Sequence, residues 1–213
     1  MARLRIYPKK KKEKSKLVSA GVCPAYLPSI RYMAWIIEHK EIVFVLNNHY
    51  QKQTYRNRTE IYGANGKLRL SIPILNNKRN QQDREVKICN DTSWQRDHWK
   101  SLENSYRSSP FFEFYEDDLY PFFHQEQEKL MDLNITLIKK IFSLLEIEIN
   151  FKKTNEVDEF SELILPKKNT IYRTPIYHQV FNSKYGFIDN LSILDLIFNL
   201  GPESNNYLKK IHI

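Results

Sequence analysis

The 213-residue chain is long enough for one domain with a sizeable core, and its hydrophobic share of 41% is ordinary for a globular protein. Its 5 glycines exclude a P-loop and a three-glycine dinucleotide fingerprint, both of which need bare backbone close to phosphate. The net charge of +8 is concentrated at one end: Arg3, Arg5, Lys9, Lys10, Lys11, Lys12, Lys14 and Lys16 face Glu13 alone, leaving 25 basic and 24 acidic side chains in the remainder. Residues 1–16 therefore read as a self-repelling, disordered basic arm, and 17–213 as a single, nearly neutral domain. A nucleic-acid contact is expected only as an alternative use of that arm.

Cys23 and Cys89 stand apart from any CxxC or Cys/His spacing, so they read as reduced thiols and no metal site is expected. No apolar stretch of signal-peptide length follows the basic start, and the apolar runs near 36–46 and 191–200 fall short of a membrane span. These features predict a soluble, cytoplasmic protein.

In chain order, Leu17 to Cys23 is an apolar run fit for a first strand, broken by Pro24 and Pro28. Ser29 is placed to cap a helix over 30–39, where Tyr32, Met33, Ile36 and Ile37 recur at helical spacing. Glu41 to Leu46 then reads as a buried strand. Strand, helix, strand opens an α/β fold with a parallel sheet, with mixed α+β as the variant.

A hairpin is predicted over 55–74 around Gly63-Ala64-Asn65-Gly66, with Leu68, Leu70, Ile72 and Ile74 alternating against polar neighbours. Its register sets Tyr62 against Lys67, Glu60 against Arg69, Arg58 against Ser71 and Arg56 against Pro73. Helices are expected from Trp94 to Tyr106 and across Leu130 to Leu145, covering the sheet. The aromatic stretch Pro110 to Tyr115 belongs in the core. Residues 150–166 read as a polar, irregular loop, and a last helix runs from Asn190 or Ser192 to Leu200, stopped by Gly201-Pro202.

Chemistry concentrates after the second strand. Lys52, Arg56 and Arg58 lie within seven residues, and strand geometry would turn the two arginines to one side. Arg69 has Glu60 opposite it, whereas Arg56 and Arg58 face no acid in the hairpin register. Unpaired guanidinium groups suit phosphate or carboxylate because they offer two parallel donors. Lys100 and Arg107, two turns apart on one helix, are candidates for an opposing wall, with plain solvation of that helix as the competing expectation. His49 is the candidate general acid/base, since its ordinary pKa lies near neutrality.

Three blocks resemble the WbqC-like family: His49-Tyr-Gln-Lys-Gln-Thr-Tyr-Arg-Asn-Arg58 with Leu70-Ser-Ile-Pro73; Trp99-Lys100 with Ser105-Tyr-Arg-Ser-Ser-Pro-Phe-Phe-Glu-Phe-Tyr115; and Gln179-Val-Phe181 with Gly186-Phe187, Asn190 to Leu196 and Gly201-Pro-Glu203. The resemblance adds Tyr50, Gln51, Asn57, Tyr106 and Gln179 as candidate substrate contacts. It implies work in O-antigen or related surface-polysaccharide synthesis, and it names no cofactor. The expected function is transfer of an acyl, aminoacyl or nucleotidyl group involving an activated sugar. Its partner would be a phosphate-bearing small molecule, a nucleotide sugar or an activated acyl donor. A non-catalytic binding or scaffold protein of the same pathway is the alternative. Pro24 to Ser29 lacks the histidine that a nucleotidyltransferase would place at this turn.

Overall fold

The computed structural model describes residues 20–39, 41–75, 80–152, 159–161, 163–165 and 173–213. The basic arm lies outside these residues. The opening strand is β1 (Ala20–Val22), buried on both faces, and residues 17–19 of the expected strand also lie outside the described part. Helix α1 (Ile30–Glu38) follows, with the Ser29 side chain accepting a hydrogen bond from the Tyr32 N–H, as the capping signal implies. Next come β2 (Glu41–Phe44) and the antiparallel hairpin β3 (Arg58–Gly63) and β4 (Gly66–Ser71).

In the hairpin Arg58 pairs with Ser71, Glu60 with Arg69 and Tyr62 with Lys67, the register expected from the turn. Gly66 takes a φ of 95°, which the turn demands and which favours glycine there. Glu60 accepts from both Lys67 (3.0 Å) and Arg69 (3.1 Å), so those two cations are held by the sheet itself. The ladder ends at Arg58, and Arg56 lies in the turn before it rather than opposite Pro73.

A 3-10 turn at Asp83–Glu85 leads to α2 (Trp94–Tyr106) and α3 (Phe112–His124). The aromatic stretch after Pro110 is thus the first turn of a helix. Phe112 and Tyr115 are buried, while Phe114 points to solvent. Helix α4 (Leu130–Leu144) has the expected amphipathic face. The stretch read as an irregular loop instead supplies two strands, β5 (Asn150–Lys152) and β6 (Glu159–Phe160). Residues 153–158, 162 and 166 of that stretch lie outside the described part. The chain closes with α5 (Asn182–Tyr185), α6 (Ile193–Leu200) and α7 (Glu203–Leu208).

The protein is a mixed α/β fold with seven helices among its described residues. The four-stranded sheet runs in the order β5-β2-β1-β6, with every pairing parallel, and the β3–β4 hairpin forms a second small sheet. From β1 the chain steps to β2 on one side, whereas β6 returns to the other side. That reversal makes the carboxyl end of β1 a topological switch point, where open α/β sheets leave a crevice between diverging loops. No helix among the described residues is long and apolar enough to cross a membrane.

Helix α6 packs on α1, α3, α7 and β3, and almost every residue in it is buried. Its one carboxylate, Asp195, is fully enclosed, and it accepts from the hydroxyls of Tyr106 (2.9 Å) and Tyr177 and from Gln179 Nε2 (2.9 Å). Burial pushes its pKa upward and the three donors pull against that shift. Gly201 stops the helix at a φ of 54°, and a Cβ there would meet the Phe111 ring at 2.5 Å.

His98 is buried between Tyr26 and Trp94, with a hydrogen bond of 2.9 Å joining its Nδ1 and the Tyr26 hydroxyl. Burial, with no acid strong enough to offset it, lowers its pKa to about 4. The unfolded chain, with histidine near 6.5, therefore takes up a proton that the native state refuses. The resulting stability is present above pH 6.5 and lost as pH falls toward 4, by about 3 kcal/mol for this one group. Urea denaturation between pH 7 and 4 should show a smaller loss in His98→Gln than in the parent; equal slopes would show that His98 protonates freely in the native state.

Candidate functional site

Three loops meet at the carboxyl end of β1. Main-chain hydrogen bonds fasten them together: Arg84 N–H to Leu46 O (3.1 Å), Asp83 N–H to Asn48 O (2.8 Å), Tyr50 N–H to Gln81 O (2.9 Å) and Tyr26 N–H to Tyr55 O (2.9 Å). From α4, Asn134 Nδ2 donates to the carbonyls of Pro24 (3.1 Å) and Arg56 (2.7 Å), tying the exit of β1 to the approach to β3. The Ser161 N–H, just after β6, reaches Gly21 O (2.9 Å) on the other side of β1. Three non-glycine residues with left-handed backbone border this place: Leu27 (φ 39°), Gln53 (φ 63°) and Asn80 (φ 64°). Such conformations cost energy and persist where surrounding contacts enforce them, often at functional sites.

Arg56 is not the free cation expected from the hairpin register. It is buried, its Nε donates to Asp83 Oδ1 at 2.8 Å and its Nη1 to Thr54 Oγ1 at 3.3 Å. The other carboxylate oxygen, Asp83 Oδ2, accepts from the Cys23 thiol at 3.3 Å. Burial pushes the thiol well above its ordinary range, so Cys23 is a neutral donor here rather than a nucleophile. It also pushes the Asp83 carboxyl upward, with the Arg56 guanidinium opposing. Two charges in so dry a place persist because each satisfies the other.

Arg58 differs from Arg56. It begins β3, is partly buried, and its Nε is shut off from solvent with no hydrogen-bond partner among the described residues. The Tyr50 hydroxyl lies within electrostatic range of Arg56, Asp83, Arg58 and Cys23, and burial pushes its pKa up to about 12, so it stays a neutral phenol. His49 is exposed at the edge, in electrostatic range of Asp83, and its Nδ1 is 3.1 Å from the Asn80 carbonyl. A carbonyl only accepts, so Nδ1 is the donor in that bond and Nε2 is the ring nitrogen left for other contacts. Asn57 is buried and donates from Nδ2 to Ile72 O (2.8 Å). Lys52 and Gln51 are exposed on the preceding turn, and the Gln51 carbonyl accepts from Thr54 Oγ1 (3.0 Å).

The remaining candidates lie elsewhere. Lys100 and Arg107 are exposed on α2, and neither is hydrogen-bonded or ion-paired to residues 49–58 among the described residues. Arg107 instead donates to Glu103 (2.6 Å) and Glu116 (3.4 Å) and covers the Phe112 ring at 5.3 Å. Tyr106 and Gln179 do meet, but around the enclosed Asp195. Their polar atoms are spent there, because Tyr106 also accepts from the Tyr62 N–H (3.0 Å) and Gln179 Oε1 from the Ile188 N–H (2.9 Å).

Sequence reasoning missed Asp83, Thr54 and Asn134. Gln81-Gln82-Asp83 carries no periodicity, and Asp83 lies 27 residues from the arginine it neutralises, so no local pattern pairs them. Cys23 and Cys89, both read as buried reduced thiols, are free; Cys23 is buried, whereas Cys89 is partly exposed.

An open parallel sheet with polar side chains gathered at the carboxyl end of its central strand defines an α/β fold with a crevice at its switch point. The sequence model of the WbqC-like protein family matches residues 23–166, which include Cys23, the 46–58 loops, Asp83 and Asn134, and the chain belongs to that family. It is also 25% identical over 217 residues to uncharacterized protein Rv1507c of Mycobacterium tuberculosis (strain ATCC 25618 / H37Rv), covering 86% of this chain and 94% of that protein. No solved structure matches.

The two arginines should respond oppositely to removal of their charge. Arg56→Gln strands the Asp83 carboxylate and should cost about 3–5 kcal/mol in urea denaturation. Arg58→Gln removes a guanidinium whose Nε has no acceptor among the described residues, so its stability should stay within about 0.5 kcal/mol of the parent or rise slightly. Equal losses for the two would mean that Arg58 is also held by a native partner.

Proposed function

We propose that the protein is a group-transfer enzyme of surface-polysaccharide synthesis, which grips the phosphate of an activated small molecule with Arg58 at the carboxyl end of β1. The observation that carries this reading is the unmet, buried Nε of Arg58 at the switch point of the sheet. A guanidinium left unsatisfied in a partly enclosed place gains most from an anion, and phosphate accepts from two of its nitrogens at once. Arg56 cannot share that task, since Asp83 already neutralises it.

In this mechanism His49 Nε2 takes the proton from the acceptor's hydroxyl or amine. The freed oxygen or nitrogen attacks the acyl or phosphoryl centre of the donor, and the phosphate-bearing fragment leaves with the bonding electrons, its negative charge held by Arg58. Lys52, exposed on the turn between His49 and Arg58, adds a mobile positive charge that attracts the anionic ligand before docking. The reading carries a cytoplasmic location with it, in keeping with free thiols at Cys23 and Cys89. Transfer of acyl, aminoacyl or nucleotidyl groups fits the site equally, since each needs an anchored phosphate and a base.

Isothermal titration of the full chain with UDP, a nucleoside diphosphate, tests the anchor. Binding should weaken about ten- to a hundredfold in Arg58→Gln, with the melting temperature unchanged in the absence of ligand. Absence of binding to the parent, or equal affinity in the variant, would remove the anchor and the enzymatic reading with it.

A further inference from the structure

The site around Arg58 has an excess of acceptors. Among the described residues, four buried side-chain atoms without a hydrogen-bond partner belong to the loops at the carboxyl end of β1 and to the α4 residue that ties them: Asn57 Oδ1, Arg58 Nε, Gln81 Oε1 and Asn134 Oδ1. Three are oxygens and one is a nitrogen. Buried polar groups in folded proteins are nearly always met, so a local concentration of unmet ones calls for a missing partner.

The three amides are fixed in orientation. Asn57 Nδ2 donates to Ile72 O (2.8 Å), Gln81 Nε2 to Glu85 O (2.8 Å), and Asn134 Nδ2 to the carbonyls of Pro24 and Arg56. A carbonyl accepts and never donates, so each amide must turn its nitrogen there and its oxygen away. Rotating any of the three to offer an N–H to a ligand would break an existing bond. The oxygens are therefore permanent acceptors, held by main-chain groups of the elements that build the site.

That inventory selects the chemistry of what completes it. An inorganic phosphate dianion offers acceptors alone; it satisfies Arg58 and leaves the three oxygens unmet. The partner must bring hydrogens. An ammonium group or a metal cation would meet the oxygens, but the uncompensated charge of Arg58 repels it, since Asp83 is already committed to Arg56. Neutral hydroxyl groups carry no such penalty.

We infer that the ligand is a phosphorylated polyol, its phosphate on Arg58 and its hydroxyls donating to amide oxygens drawn from Asn57, Gln81 and Asn134. The inference rests on the reading of Arg58 as the phosphate anchor and adds the part of the ligand that confers selectivity. A site built to accept from hydroxyls discriminates strongly against an analogue lacking them, because its own buried acceptors are then stranded.

The test compares a panel of hexose 1-phosphates with cyclohexyl phosphate, which has the same ring size and phosphate but no hydroxyls, by isothermal titration of the full chain. At least one hexose phosphate should bind about tenfold more tightly than cyclohexyl phosphate, and Arg58→Gln should weaken both. In Asn57→Ala the ratio between the two ligands should shrink, while cyclohexyl phosphate binds as before. Because the comparison is a ratio within one protein, a modest loss of stability in the variant cancels. If that variant does not fold, the ratio in the parent decides. Equal, Arg58-dependent binding of both ligand types overturns the inference and leaves the anchor intact. Failure of every ligand to bind overturns both. A complex in which ordered waters, rather than ligand hydroxyls, meet these oxygens overturns the inference as well.

Discussion

A single buried ion pair, Arg56 with Asp83, holds the loops at the carboxyl end of β1 in shape. Its two side chains are almost wholly removed from water, at 4% and 0% exposure. Desolvating both charges is costly, and each is tolerable only in the presence of the other. The pair joins the turn before β3 to the 3-10 turn before α2, while Cys23 brings in the end of β1 through the second carboxylate oxygen. Thr54 and the main-chain bonds from residues 46–50 complete the arrangement. Three stretches that are far apart in sequence, around residues 23, 46–58 and 80–85, are thereby set in one place. Arg58 is two residues beyond the pair on a strand start, so its position is inherited from it.

The division of labour between the two arginines follows from that geometry. Arg56, in a turn, faces inward to Asp83 and contributes a neutralised, rigid base to the site. Arg58, at the first ladder position opposite Ser71, has a buried Nε without an acceptor among the described residues. The enclosed Asp195 plays a comparable structural part elsewhere in the core. There Tyr106 of α2, Tyr177 and Gln179 converge on one carboxylate and dock the final segment against the helices. The family match ends at residue 166, yet residues 173–213 supply Asp195, two of its three donors and all of α6 and α7, so the closing segment is part of the same core.

Much of the architecture was legible because local chemistry determines it. Ser29 caps α1, Gly66 sets the hairpin register and Gly201 stops α6, each through a backbone requirement that composition betrays. Trp94–Tyr106 and Leu130–Leu144 are marked by periodic apolar faces. What escaped was non-local. The strands β5 and β6 are three and two residues long, and they exist because β2 and β1 offer parallel edges rather than through any pattern of their own. The helix after Pro110 was hidden because aromatic residues occupy both its faces, Phe112 inward and Phe114 outward. In the site, the segment 49–58 was found from its basic and aromatic residues. The roles within it were not: a register argument sees acids across a hairpin and is blind to Asp83, and it cannot tell a satisfied guanidinium from an unsatisfied one. Tyr106 and Gln179 were drawn into the site by the family resemblance, whereas their hydrogen-bonding capacity is used up inside the core.

The dependence of the site on the Arg56–Asp83 pair is measured most directly by a double-mutant cycle in urea denaturation, using Arg56→Met, Asp83→Leu and the combined variant. Each single change leaves the opposite charge buried without a partner, whereas the double change leaves two apolar side chains of similar volume. The account predicts that the double variant is at least as stable as either single variant, with a coupling energy of about 3 kcal/mol or more. Losses that add within about 0.5 kcal/mol would contradict it, because they would show that the two charges stand independently and that the loops around Arg58 are held by something else.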